Sequence, residues 1–313
     1  MREIVYAHPM NVRQRSFRRD EDIRSMVELA AAAGDTALHV ADLPYRLCSW
    51  ALDEPENVGV WEDSERRIVG WAVVQFPFWM FDIVVHPDAE PDLFGVALDW
   101  AIGRAEELLG TSAERPCWFV LTFSEQTDRR KALEAAGFIC QADVGEDSWS
   151  QVLLSRDDAL APAFPVVDGF TIRRLAGPEE VGAYVEAHRA AFDSTNMTVD
   201  WRARTLTAPH HLSETDLVAV TDDGRVAGFC IGWLHEGTRT GRIEPLGVLP
   251  EFHRHGLGAA LLAECLTRLA DCGATRLVVA TDSYRDPARA LYEGAGFVPT
   301  RPILVYRRDF VAS

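Results

Sequence analysis

The stretch Glu244-Pro-Leu-Gly-Val-Leu-Pro-Glu-Phe-His-Arg-His-Gly-Leu-Gly-Ala-Ala-Leu-Leu262 decides the fold. Its first residues read as a strand, His253–Gly258 as a basic glycine loop, and the residues from Leu257 onward as an amphipathic helix. A helix N-terminus leaves backbone N–H groups without partners and carries roughly half a positive charge, so it suits an anion. Gly256 and Gly258 remove the Cβ atoms that would block close approach of the anion to the backbone. The amides of Arg254, His255, Gly256, Leu257, Gly258 and Ala259 are therefore expected to face a pyrophosphate, with Arg254 as a fixed cation and His253 and His255 as partial ones. A dinucleotide-binding fingerprint would need a third small residue where Leu261 stands, and a P-loop would need Gly-Lys-Ser/Thr, which is absent. A plain glycine turn between strand and helix is the remaining alternative.

Working outward, the chain is written twice, with a period of about 160 residues. Val58–Val74 and Leu217–Trp233 each read as strand, polar turn and strand, the second with its turn at Asp222-Asp223-Gly224. Both copies then reach a strand ending in proline, at Pro87 and Pro250. Apolar-striped helices follow over 94–109 and 257–272, and strands over 117–123 and 276–281. Both copies close alike, as Arg130-Lys-Ala-Leu-Glu-Ala-Ala-Gly-Phe138 and Arg289-Ala-Leu-Tyr-Glu-Gly-Ala-Gly-Phe297. Each opens with a strand, near 12–17 and 170–175, and a helix, near 20–33 and 178–192. Proline-bearing residues 157–165 have linker composition. The reading is a mixed α/β chain of two tandem domains, 1–160 and 169–313, each a mostly antiparallel sheet flanked by helices.

The element order, the Val-x-Pro turn, the basic glycine loop and the Ala-Leu-Tyr…Gly-Phe ending resemble the GNAT acyltransferase superfamily. The resemblance covers the second half closely and the first through element order and the Gly-Phe ending. Two such domains in tandem look like the architecture of mycothiol synthase and other bacterial two-domain members. The family's loop usually begins with Arg or Gln; here His253 stands in that place. The resemblance implies that acetyl-CoA is the co-substrate and that Leu246, Gly247 and Val248 line its thioester arm. Backbone N–H groups of Leu246 and Val248 are the expected donors to the acyl carbonyl. It further implies Glu244 as general base and Tyr292 as general acid for the departing thiolate. Asp286 occupies the region where members often hold the cofactor arm with an asparagine. The first copy carries Asp88, Glu90, Pro91 and Asp92 where the second carries its basic loop. These would repel a pyrophosphate and remove one amide donor, so the first domain is expected to be a degenerate copy.

The activity so implied is transfer of an acetyl group to a primary amine, on a small molecule or a protein N-terminus, by direct attack. The acceptor site is expected in 188–216, with Asp193, Asp200, Trp201, His210 and His211 as candidates. A non-catalytic acyl-CoA sensor is the alternative. At 313 residues, 48% hydrophobic and 25% charged, the chain has globular composition. Its net charge of −17 disfavours nucleic acid and anionic membrane as partners. The six cysteines form no Cys-x-x-Cys pair and the nine histidines show no ligand spacing, so neither disulfides nor a metal are expected. The opening residues lack an apolar leader, and the apolar stretch 70–85 is too short to span a bilayer. A cytoplasmic monomer (a tandem pseudo-dimer) or homodimer is the resulting expectation.

Overall fold

The structure is a computed structural model that describes residues 11–157 and 167–310. Apart from Asp157, the expected linker at 157–165 lies outside the described residues, as do the first ten residues of the chain. The first repeat forms β1 (Arg13–Ser16), α1 (Arg19–Ala33), α2 (Leu43–Leu47), β2 (Val58–Glu62), β3 (Ile68–Gln75) and β4 (Met80–Val85). It continues with α3 (Leu93–Glu107), β5 (Cys117–Phe123), α4 (Thr127–Ala135), β6 (Ile139–Cys140) and β7 (Gln151–Arg156). The second repeat forms β8 (Phe170–Arg174), α5 (Val181–Phe192), α6 (Val199–Thr205), β9 (Asp216–Thr221), β10 (Val226–His235) and β11 (Thr240–Val248). It ends with α7 (Leu257–Asp271), β12 (Arg276–Asp282), α8 (Asp286–Gly294) and β13 (Val298–Asp309). The expected order of elements is present in both halves.

These elements form two compact units. Among the described residues, one comprises 11–40, 49–148 and 303–310, the other 41–48, 149–157 and 167–302. In the first, the strands run β1-β2-β3-β4-β5, and the part of β13 from Ile303 pairs with β5. In the second the order is β8-β9-β10-β11-β12-β7. Of the pairings just named, β4–β5 and β11–β12 are parallel and the rest antiparallel, so each unit is mixed and mostly antiparallel. Each unit thus takes its last-placed strand from the far end of the other repeat's sequence. The second unit also takes Ala41–Cys48 from the first repeat.

In the second unit, α7 buries Leu257, Leu261, Cys265 and Leu269 at the four-residue spacing of one helix face. That face lies on Gly228, Cys230 and Gly232 of β10. A Cβ on Gly232 would stand 2.8 Å from Cys265 Sγ, and one on Gly228 would stand 3.0 Å from Leu261 Cδ1. The glycines therefore set how closely helix and sheet approach. On the opposite face of the sheet, Tyr184 and His188 of α5 cover Phe229, with Tyr184 and Phe229 ring centroids 4.9 Å apart.

Gly247, paired with Phe229 across β10 and β11, lies directly beneath that aromatic ring. A Cβ there would sit inside van der Waals contact with Phe229 Cζ, Cε2 and Cε1. The ring is fully buried and has little room to give. Gly247→Ala should destabilise the protein by about 1–3 kcal/mol, read as a lower midpoint in denaturant or thermal unfolding. An unchanged midpoint would show that the aromatic layer is loosely packed.

Candidate active site

The site begins with a failure of strand pairing. Strand β11 pairs with β12 only through Thr240–Arg242 opposite Arg276–Val278. Beyond Arg242, β12 continues along β7 to Asp282 while β11 stays with β10. Among the described residues, no strand covers the β12-facing edge of β11 from Ile243 to Val248. Backbone groups on such an edge are available to an extended ligand.

Within this open stretch, Ile243 pairs with Gly232 and Leu246 with Cys230. Two residues of β11, Glu244 and Pro245, thus oppose the single Ile231. That is a bulge, a device that re-aims a side chain. The Glu244–Pro245 peptide bond is cis. Trp233 Nε1 donates to Glu244 O at 2.6 Å, fixing the bulge to β10.

Glu244 is half-buried, and its carboxyl is pushed up to about 7, first by burial and then by the negative charge of Asp42. Arg242 and Arg46 oppose that shift, and Asp282 adds to it. A carboxylate with this proton affinity can accept a proton near neutral pH, which an ordinary glutamate with a pKa of about 4.3 does poorly. Tyr292, on α8, is 8% exposed and packs its ring against Phe297 at 6.1 Å. Burial raises its hydroxyl well above the usual phenol range, with further contributions from Cys230 and Glu244. Tyr292 is therefore a neutral phenol at physiological pH, within electrostatic reach of Glu244.

At the far end of β11 the chain turns through Pro250–Phe252 into the loop. His253 closes this turn, its Nε2 2.9 Å from Val248 O. Arg254 and Gly256 take positive φ, 66° and 81°, conformations that a glycine adopts without strain and other residues rarely adopt. Among the described residues, no N–H from Arg254 to Ala259 donates to an acceptor in the protein. The first to do so is Ala260, bonded to Gly256 O at 3.0 Å. Arg254, His255 and Gly256 are exposed, Gly258 and Ala259 half-buried, and Leu257 buried as the anchor of α7. A Cβ on Gly258 would meet nothing closer than Val248 Cγ2 at 3.6 Å, so this residue gives access rather than tight packing. Six amides without an acceptor at a helix N-terminus are of the kind that can bind an anion. Asp286 opens α8 as an exposed residue, and among the described residues it has no hydrogen bond to the loop or to β11.

Of the residues expected to contact an acceptor, Trp201 is buried, donating Nε1 to Tyr45 O at 2.9 Å. His211 lies 2.9 Å from Asp216, which also binds the buried Arg202. Asp193 and Asp200 are exposed. Sequence reasoning missed Asp42, Tyr45 and Arg46, which reach the surroundings of Glu244 from the first repeat, and Arg242, two residues upstream on β11. An Arg-x-Glu spacing on a strand was the only available signal for the last of these.

Split sheet, bulged carboxylate and unpartnered helix N-terminus thus lie together along β11 and the start of α7. Residues 182–297 match the Acetyltransferase (GNAT) family. The mycothiol acetyltransferase of Arthrobacter sp. (strain FB24) is 30% identical over 152 residues, 46% of this chain and 47% of its own length. That of Streptomyces griseus subsp. griseus is 26% identical over 235 residues, 73% of this chain and 71% of its own. The chain spans about half the length of the first curated relatives it matches. A GCN5-related N-acetyltransferase from Sphaerobacter thermophilus has the same fold, with a TM-score of 0.65 and 19% identity over 97% of this chain and 98% of that one. A tandem GNAT protein from the clavulanic acid biosynthesis pathway gives a TM-score of 0.62 and 16% identity over 96% of this chain and 99% of that one. The family match thus covers part of the second repeat, and the fold of the whole chain is like that of these solved structures.

The layer behind Gly247 carries its own pH dependence. His188 stacks on Phe229 at 5.4 Å and its imidazole is pushed down to about 4, first by burial and then by Arg202 and Arg189. Its folded pKa lies below the unfolded value of about 6.5, so the unfolded chain binds the extra proton between these values. The stability His188 contributes is full above pH ~6.5 and lost as pH falls toward 4. That loss amounts to about 3 kcal/mol. His188→Phe should flatten the fall in melting temperature over this range. An identical acid profile in the variant would contradict the assignment.

Proposed function

We propose that this protein is an acetyl-CoA-dependent N-acetyltransferase, working in its second unit and passing acetyl directly to a primary amine. The observation that carries this reading is Glu244: a carboxyl held near pH 7 on the one stretch of β11 left without a partner on its β12-facing edge. The family match over 182–297 supports the acetyl donor. The outward amides of Arg254 to Ala259 suit its pyrophosphate, and the uncovered edge from Ile243 to Val248 suits its extended arm.

In this reading the backbone N–H groups of Leu246 and Val248 donate to the thioester carbonyl and stabilise the negative charge that develops there. An alkyl amine has a pKa of about 10 and is mostly protonated at pH 7. Glu244, directly or through one water, takes a proton from the bound ammonium, the neutral nitrogen then bonds to the acyl carbon, and the second proton it sheds as the amide forms restores, through solvent, the one that Tyr292 gives up. Tyr292, a neutral phenol, donates its hydroxyl proton to the sulfur as the carbon–sulfur bond breaks. The products are the N-acetyl amine and the thiol of coenzyme A. The first unit, with Asp88, Glu90, Pro91 and Asp92 in place of the basic loop, acts as a degenerate copy that does not bind the donor.

Transfer is tested by release of coenzyme A across a panel of amines: polyamines, aminoglycosides, amino-sugars, amino acids and peptide N-termini. The name of the relatives makes mycothiol-type acceptors the first class to screen. With a turning-over acceptor, kcat should rise with pH through a midpoint near 7 as Glu244 loses its proton. The midpoint should be the same for acceptors of different amine pKa. Glu244→Gln should abolish that limb and lower kcat by about 10²–10⁴-fold. A limb that persists in the variant would remove Glu244 from the mechanism.

Tyr292→Phe keeps the packing against Phe297 and removes only the hydroxyl. It should lower kcat by about 10²-fold while leaving acetyl-CoA affinity nearly unchanged, as read by equilibrium binding beside steady-state rates. Unaltered turnover would remove the tyrosine from proton transfer.

A further inference from the structure

The residues around Glu244 include a group that the catalytic steps above do not use. Asp42 and Arg242 form an ion pair, Oδ1 to Nε 3.0 Å, with side-chain exposures of 0% and 3%. Asp42 comes from the first repeat, about 200 residues upstream, yet the segment that carries it belongs to the second unit. Every residue of α2, Leu43 through Leu47, is buried. Tyr45 sits between Trp201 at 5.2 Å and Trp233 at 6.0 Å. Its carbonyl accepts from Trp201 Nε1 at 2.9 Å, and Cys48 O accepts from Arg204 at 3.2 Å. The segment is thus anchored to α6 and β10, and Trp233 is the residue that holds the Glu244 bulge.

We infer that Asp42 is a positioning residue for the proposed base, holding Arg242 in a neutralised pair so that Glu244 faces a balanced pair rather than a lone guanidinium. The inference rests on the reading of Glu244 given above. The charged and titratable groups that act electrostatically on or with Glu244 are Asp42, Tyr45 and Arg46 from the inserted segment, Arg242 from β11, Asp282 from β12, Tyr184 from α5 and Tyr292 from α8. Asp42 and Asp282 favour the protonated carboxyl, and Arg242 and Arg46 favour the carboxylate. With the Asp42 charge gone, two arginines would face Glu244 against a single aspartate. The carboxylate would then be stabilised and would become a weaker base. The consequence concerns organisation as well as chemistry. A catalytic unit built only from the second repeat would lack one of the groups that strengthen its base.

The test uses the full-length protein labelled with ¹³C at glutamate side-chain carboxyls, with the Glu244 resonance assigned by its loss in Glu244→Gln. In the wild-type protein this carboxyl should titrate near 7. In Asp42→Asn its midpoint should fall by about one unit or more, and the acid limb of kcat should fall with it. An unmoved midpoint in a folded Asp42→Asn protein overturns the inference and leaves the role of Glu244 intact. A midpoint that falls while turnover shows no matching limb supports the coupling and overturns the base assignment instead. The double variant Asp42→Asn/Arg242→Gln leaves neither member of the pair charged, so it serves where the single variant does not fold. With Arg46 and Asp282 left to oppose each other at Glu244, its midpoint should stay near the wild-type value, and a shift of about one unit or more overturns the inference.

Discussion

The parting of β11 from β12 after Arg242 is the constraint on which the second unit depends. A sheet interior normally satisfies both edges of every strand, and an uncovered edge is a liability that proteins blunt or use. Here the uncovered stretch, Ile243–Val248, holds the bulge at Glu244-Pro245 and leads straight into the glycine loop. One interruption in hydrogen bonding therefore places a carboxyl, a row of backbone groups and a helix N-terminus along a single line. Strands β4 and β5 of the first unit also pair through one position only, Met80 with Phe119. The split belongs to the fold; the chemistry placed along it differs between the two copies.

Two layers hold the split strand in place. On one face, α7 is brought close to β10 by Gly228 and Gly232. On the other, Tyr184 and His188 cover Phe229, which lies over Gly247. Arg202 stacks on Tyr184 at 4.1 Å and binds Asp216, so the aromatic layer is tied into a buried charge network. Buried charges at such positions cost desolvation energy unless fully paired. The same low-dielectric surroundings raise the proton affinities of Glu244 and Tyr292. Packing and acid–base tuning here share a physical cause, the burial of side chains beside β11.

Much of the architecture was legible in the sequence because the repeat is explicit. The Val-x-Pro turns, the paired Gly-Phe endings and the apolar stripe of α7 each have a local physical cause. The loop was legible for the same reason: glycines and basic residues between a strand and an amphipathic helix leave few alternatives. The exchange of strands was not visible. Alternation along β7 or β13 shows which residues face a core, and it carries no information on which sheet the strand joins. Asp42, Tyr45 and Arg46 were hidden in the same way, lying in a short segment that reads as part of the first repeat. Trp201 shows the limit of reading single residues. An aromatic in a polar stretch suggested a surface for an acceptor, whereas its indole N–H is spent holding Tyr45.

The asymmetry between the copies, a basic cradle in one and Asp88, Glu90, Pro91 and Asp92 in the other, is the central claim about how this chain works. The most direct measurement is the stoichiometry of acetyl-CoA binding to the full-length protein by titration calorimetry. The account predicts a single binding event per chain, lost when bulk is placed at Gly256 or Gly258. Two equivalent sites per chain, or no binding at all, would contradict it.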